Sequence, residues 1–235
     1  MRPFAFGIVL ATLIIAASQA SATPINVTAL REVEVGNDIV IVPGPLSPST
    51  ALGAFSDSVL ANLGDEDVAA DQSSNIQPGA GLFSGTGNAS VGFSILEVEE
   101  TYASSFFDVF FDITTPHSYG LAGALSANID GGRGLGVFGL DGPTPLSFAA
   151  IDFGTVTLAS TGVLAPGSYH LTVFALVDPG DVIDPDSFMG GSSSFDFDFR
   201  IQEITNGVVP EPATLALLAV GLFGVGLARH GRRDL

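Results

Sequence analysis

Apolar and polar residues alternate along most of the chain with a period of two. Successive side chains of a strand point to opposite faces, so this period predicts strands with one face turned to a core. Arg31-Glu32-Val33-Glu34-Val35 alternates and runs on into Asp38-Ile39-Val40-Ile41-Val42. Ser90 to Val98 sets Val91, Phe93 and Ile95 on one face, and Ser105 to Ile113 does the same with Phe107, Val109, Phe111 and Ile113. Tyr119 to Ile129, Leu135 to Leu140 and Ser147 to Leu158 are further strand candidates. Ser168 to Val177 aligns Tyr169, Leu171, Val173 and Ala175, and Phe195 to Ile201 alternates throughout. Between these runs lie turn clusters such as Pro43-Gly44-Pro45, Asp130-Gly131-Gly132, Asp141-Gly142-Pro143 and Asp178-Pro179-Gly180. About eight strands with regular turns predict a mainly β fold, a single jelly-roll-like β-sandwich. Thr50 to Leu63 is the one helix candidate, and Gly53 weakens it. Pro, Ser, Gly and Asp dominate residues 43–88, which predicts a long loop region with one strand or short helix.

Composition narrows the function classes. The 235 residues carry 25 acids against 7 basic residues, a formal net charge of -18. Phosphate backbones need a basic surface, so nucleic acid is excluded as a partner. With Cys at 0, there is neither a disulfide framework nor thiol chemistry. Hydrophobic residues at 46% are too many for a disordered chain.

The two ends read as targeting segments around one domain. Arg2, the apolar run Phe4 to Ala17 and the small-x-small triplet Ala20-Ser21-Ala22 make residues 1–22 a secretory signal peptide cleaved after Ala22. Residues 23–209 form the extracytoplasmic sandwich domain. In residues 210–235, Pro210-Glu211-Pro212 precedes an uncharged apolar stretch, Ala213 to Ala228, and then the basic tail with Arg229, Arg232 and Arg233. The stretch 213–228 is expected as a transmembrane helix, about 24 Å at helical rise. The Arg cluster is expected to stay cytoplasmic, which leaves the folded domain outside. Gly221, Gly224 and Gly226 suit close helix approach in lipid.

Val208-Val209-Pro210-Glu211-Pro212-Ala213-Thr214-Leu215, followed by the Gly-containing apolar stretch and the Arg-rich end, resembles the PEP-CTERM sorting signal. The resemblance implies a precursor anchored in the inner membrane and facing the periplasm. An exosortase, a membrane processing enzyme, would recognise Pro210, Glu211 and Pro212 and pass the protein to the cell surface or the medium. It also implies association with exopolysaccharide or biofilm matrix. Phe106-Phe107-Asp108-Val109-Phe110 resembles the F-x-D-x-F pattern of one group of such proteins. Val163-Leu164-Ala165-Pro166-Gly167-Ser168-Tyr169-His170-Leu171 is similar to their L-x-P-G-x-Y-x-L segment.

Candidate chemistry is sparse. There is no G-x-S-x-G, and His117 and His170 are the only histidines of the domain. Gly134-Leu135-Gly136-Val137-Phe138-Gly139 matches G-x-G-x-x-G, but Asp141-Gly142-Pro143 forbids the helix that a phosphate site needs, so it reads as a Gly-rich strand. Asp178, Asp181, Asp184 and Asp186 share one Pro/Gly-rich loop and are the candidate Ca²⁺ ligands, with Asp65, Glu66, Asp67 and Asp71 a second cluster. Phe106, Asp108, Phe110 and Asp112 fall on one strand face, which is either a sugar-binding strip or a sheet surface under a loop. Carboxylate pairs for glycoside hydrolysis exist on paper, Asp108 with Asp112 or Asp196 with Asp198, yet alternating acids are common on strand faces. The expectation is a non-enzymatic exported protein without a required cofactor, and a carbohydrate-binding or calcium-dependent adhesion module is the alternative.

Overall fold

A computed structural model describes residues 24–37, 40–63, 66–92, 101–129, 133–178 and 190–204. The described elements are strands and a single 3-10 turn at Pro78–Ala80. In chain order the strands are β1 (Ile25–Gly36), β2 (Ile41–Pro43), β3 (Gly53–Leu63), β4 (Glu66–Gln77), β5 (Leu82–Gly92) and β6 (Tyr102–Ile113). Then follow β7 (His117–Ile129), β8 (Arg133–Asp141), β9 (Leu146–Ile151), β10 (Phe153–Leu164), β11 (Gly167–Asp178) and β12 (Gly191–Glu203).

They form two six-stranded antiparallel sheets. The first has the order β2-β1-β6-β11-β8-β9 and the second β10-β7-β12-β5-β4-β3. From β5 onward the chain changes sheet at every step except the β8–β9 hairpin. The quartets β6-β11-β8-β9 and β10-β7-β12-β5 are therefore wired as in a jelly roll. β1 and β2 widen one sheet beside β6, and β4 and β3 widen the other beside β5.

The core lies between the sheets and is built from the alternating inward residues. Phe107, Val109, Phe111 and Ile113 of β6 are buried, as are Tyr169, Leu171, Val173 and Ala175 of β11 and Phe195, Phe197 and Phe199 of β12. Rings from the two sheets interlock. Phe107 meets Phe197 edge-on at 5.0 Å, and Phe83 stacks with Phe111 at 5.1 Å. The L-x-P-G-x-Y-x-L segment is the β10–β11 connection. The Tyr169 hydroxyl reaches back across it and donates to the Ala165 carbonyl at 2.7 Å, which pins the corner.

Several expectations are corrected. Thr50 to Leu63 is no helix: β3 occupies Gly53–Leu63. Its inward positions are Phe55, Asp57 and Val59, while Leu60 points out, 76% exposed. The Asp57 carboxylate is buried because it accepts from the Leu46 N–H at 3.0 Å and the Ser47 hydroxyl at 2.8 Å. Residues 43–88 are likewise mostly strand. β4 turns Val68, Ala70, Gln72, Ser74 and Ile76 inward, and the two polar members conceal the period. The run Ser147 to Leu158 divides at Asp152, whose φ of 57° turns the chain from β9 in one sheet to β10 in the other. The run Arg31 to Val42 divides at Asn37, which accepts from the Val40 N–H through its side chain at 2.8 Å. β5 ends at Gly92, so Phe93 and Ile95 lie outside the described residues. Gly134 to Gly139 stays inside β8, as expected of a Gly-rich strand.

Among the described residues no helix is long and apolar enough to cross a membrane. The expected signal peptide 1–22 with Ala20 and Ala22, and the expected transmembrane stretch 213–228, fall outside the described residues.

Candidate functional site

β6 runs through the first sheet between β1 and β11, and its even-numbered residues from Phe106 to Asp112 lie on the face away from the core. The structure brings Phe106, Asp108 and Phe110 together on that outer face. The antiparallel register then sets Phe110 beside His170, Asp108 beside Thr172 and Phe106 beside Phe174. Phe110 is 48% exposed. The His170 ring lies flat on it, with centroids 4.0 Å apart and planes within 7°. Phe106 and Phe174 make a tilted pair at 6.4 Å.

Asp108 holds this arrangement in place. Its Oδ1 contacts His170 Nε2 closely and accepts from the Thr172 hydroxyl at 3.1 Å. The same imidazole nitrogen lies 3.1 Å from Thr172 Oγ1. Asp108, His170 and Thr172 thus form one polar cluster that holds the ring. At the end of the strip Asp112 accepts from Asn26 Nδ2 at 2.7 Å. Hydrogen bonds from Ser168 and Asn26 hold its carboxyl below the usual range. At the other end Tyr102 donates to Glu34 Oε1 at 3.1 Å. Burial, and then Glu34, raises Glu32 above its ordinary value. The result is a flat, half-exposed ring pair bordered by carboxylates.

His170, Thr172 and Phe174 escaped the sequence reading as site residues. Alternation from the inward Tyr169 puts His170 on the outer face, but only the β6–β11 register puts it on Phe110. A second feature was hidden in the supposed loop region. On the outer face of the second sheet, β3, β4, β5 and β12 border a cleft of about 560 Å³.

Residues 208–233 match the family model of the PEP-CTERM protein-sorting motif. The chain thus carries a PEP-CTERM sorting motif near its C-terminal end. No curated protein matches it. The match takes in Pro210, Glu211 and Pro212 as well as Arg229, Arg232 and Arg233, all outside the described residues. The motif supports sorting through an exosortase to the cell surface.

The other candidates assemble no site among the described residues. Asp178 ends β11 opposite Arg133, and Asp181, Asp184 and Asp186 lie outside the described residues. Among the described residues no three His, Asp or Glu side chains are grouped to hold a metal ion. In the second acidic cluster Asp67 accepts from Asn62 at 3.1 Å. Asp196 and Asp198 both face outward on β12, but Asp198 is clamped by Arg200 at 2.6 and 2.9 Å.

Proposed function

We propose that this is a non-enzymatic envelope protein. It is exported, and helix 213–228 holds it in the inner membrane with its domain in the periplasm until an exosortase processes it. The product is then displayed at the cell surface or released, in association with exopolysaccharide of a biofilm matrix. The observation that carries this reading is the sorting motif at 208–233, placed directly after the β domain. The test is fractionation of cells that contain an exosortase and express the full chain or its Pro210→Ala/Glu211→Ala variant. The parent chain is expected in the surface or matrix fraction at reduced mass, and the variant in the membrane as the longer precursor. Identical distribution of the two would sink the reading.

A second reading, a carbohydrate-binding module, is favoured by the Phe110–His170 ring pair beside Asp108. Stacked, half-exposed rings with a carboxylate at their margin suit the apolar face and the hydroxyls of a sugar.

A further inference from the structure

We propose that the cleft on the outer face of the second sheet binds a neutral, hydroxyl-rich polysaccharide strand. The cleft has a volume of about 560 Å³ and is walled by four adjacent strands. Register aligns its polar side chains in cross-strand rows. Ser56, Ser73, Thr86 and Asp196 form one, and Asn75, Ser84 and Asp198 the next. Neighbouring strands lie about 4.8 Å apart, so each row presents a polar group at every step across the sheet.

These groups are uncommitted. Among the described residues Ser56, Ser73, Asn75, Ser84, Thr86 and Asp196 make no side-chain hydrogen bond within the protein. In the same lining Asp198 is taken by Arg200, and further along the face Ser126 is taken by Ser194 at 2.7 Å and Asn62 by Asp67. Six unspent donors and acceptors gathered in one concavity call for a ligand with many groups that both give and accept.

The surroundings fix which ligand. Phe55 and Phe197 border the cleft, but their rings turn into the core, at 7% and 1% exposure, so no aromatic face is open to a ligand there. β4, β5 and β12 are paired on both sides, so their backbone groups are spent in the ladders and a peptide strand gains nothing there. The chain's charge of -18 and the two carboxylates repel uronates, sulfates and phosphates. One uncommitted carboxylate is too little for a divalent cation. An uncharged chain of hydroxyls meets every condition. The proposal rests on the matrix reading for where such a strand is met, and on the cleft alone for its chemistry.

The test is native affinity electrophoresis of the full chain in mild detergent. The gels contain dextran, galactomannan or hydroxyethyl cellulose as neutral probes, with alginate as the anionic comparison. Retardation is expected with at least one neutral probe and not with alginate. Asp196→Ala/Thr86→Val should weaken it tenfold or more. Thr86→Val alone, which keeps the side-chain shape and removes the hydroxyl, should weaken it measurably and repeats the test should the double variant not fold. No retardation with any neutral probe, or retardation that survives both variants, overturns the proposal. Loss with Phe110→Ala and none with the cleft variants also overturns it, and moves the sugar to the ring pair on the first sheet. Sorting of the Pro210→Ala/Glu211→Ala variant is read separately, so failure of the cleft and failure of the matrix reading remain distinct.

Discussion

The Tyr102 hydroxyl donates to Glu34, and burial, followed by the charges of Glu34 and Glu32, pushes its phenol up to about 12. A neutral phenol can give its proton to a carboxylate, whereas a phenolate would repel two. The unfolded chain ionises near the ordinary value of 10.0, while the folded chain keeps the proton. The stabilisation is therefore whole below about pH 10 and is lost as pH rises from there toward the folded value. Urea midpoints are expected to fall more steeply between pH 10 and pH 12 in the parent protein than in Tyr102→Phe. Glu34→Gln should move the ultraviolet titration of Tyr102 back toward 10. A slope unchanged by Tyr102→Phe would refute the account. At this scale the sequence is a partial guide. Alternation puts Tyr169 and Leu171 in the core, where they are. The Tyr169 hydroxyl bond to Ala165 and the seat of His170 on Phe110 depend on neighbours brought in by folding, so alternation alone does not show them.

Strands were legible where their inward faces are uniformly apolar, as in β6, β11 and β12, and illegible where they are not. β4 buries Gln72 and Ser74, and β5 places Gly85 and Gly87 inward. Those glycines make room for aromatic rings of β12. A Cβ at Gly87 would collide with the Phe195 ring and with Ser105 Oγ. The strand thus gives up apolar surface of its own so that a larger ring across the ladder is accommodated. Gly87→Ala is expected to destabilise the domain by about 1–3 kcal/mol through overpacking. Gly79→Ala, at the exposed 3-10 turn where a Cβ meets nothing within 4 Å, should stay within about 0.5 kcal/mol. Chemical unfolding of the two variants checks both values, and equal effects would contradict the packing argument.

Across the whole molecule 25 acids face 7 basic residues, and the described ion pairs are few. Such a surface repels itself, and salt screens that repulsion. Raising NaCl from about 10 to 150 mM is expected to raise Tm by about 2–4 °C. A fall in Tm would mean that attractive pairs, not repulsion, dominate. The fold class was legible because alternation and turns recur throughout. The cleft was not, because β3, β4 and β5 were not all legible as strands and β12, far along the chain from them, joins them only by sheet order. That order has one more consequence. The tail bearing the sorting motif leaves the domain from β12, an inner strand with β7 on one side and β5 on the other. An edge strand under tension unzips one pair at a time. A pull on this tail must shear two ladders at once, so the domain meets mechanical force along a seam that resists it.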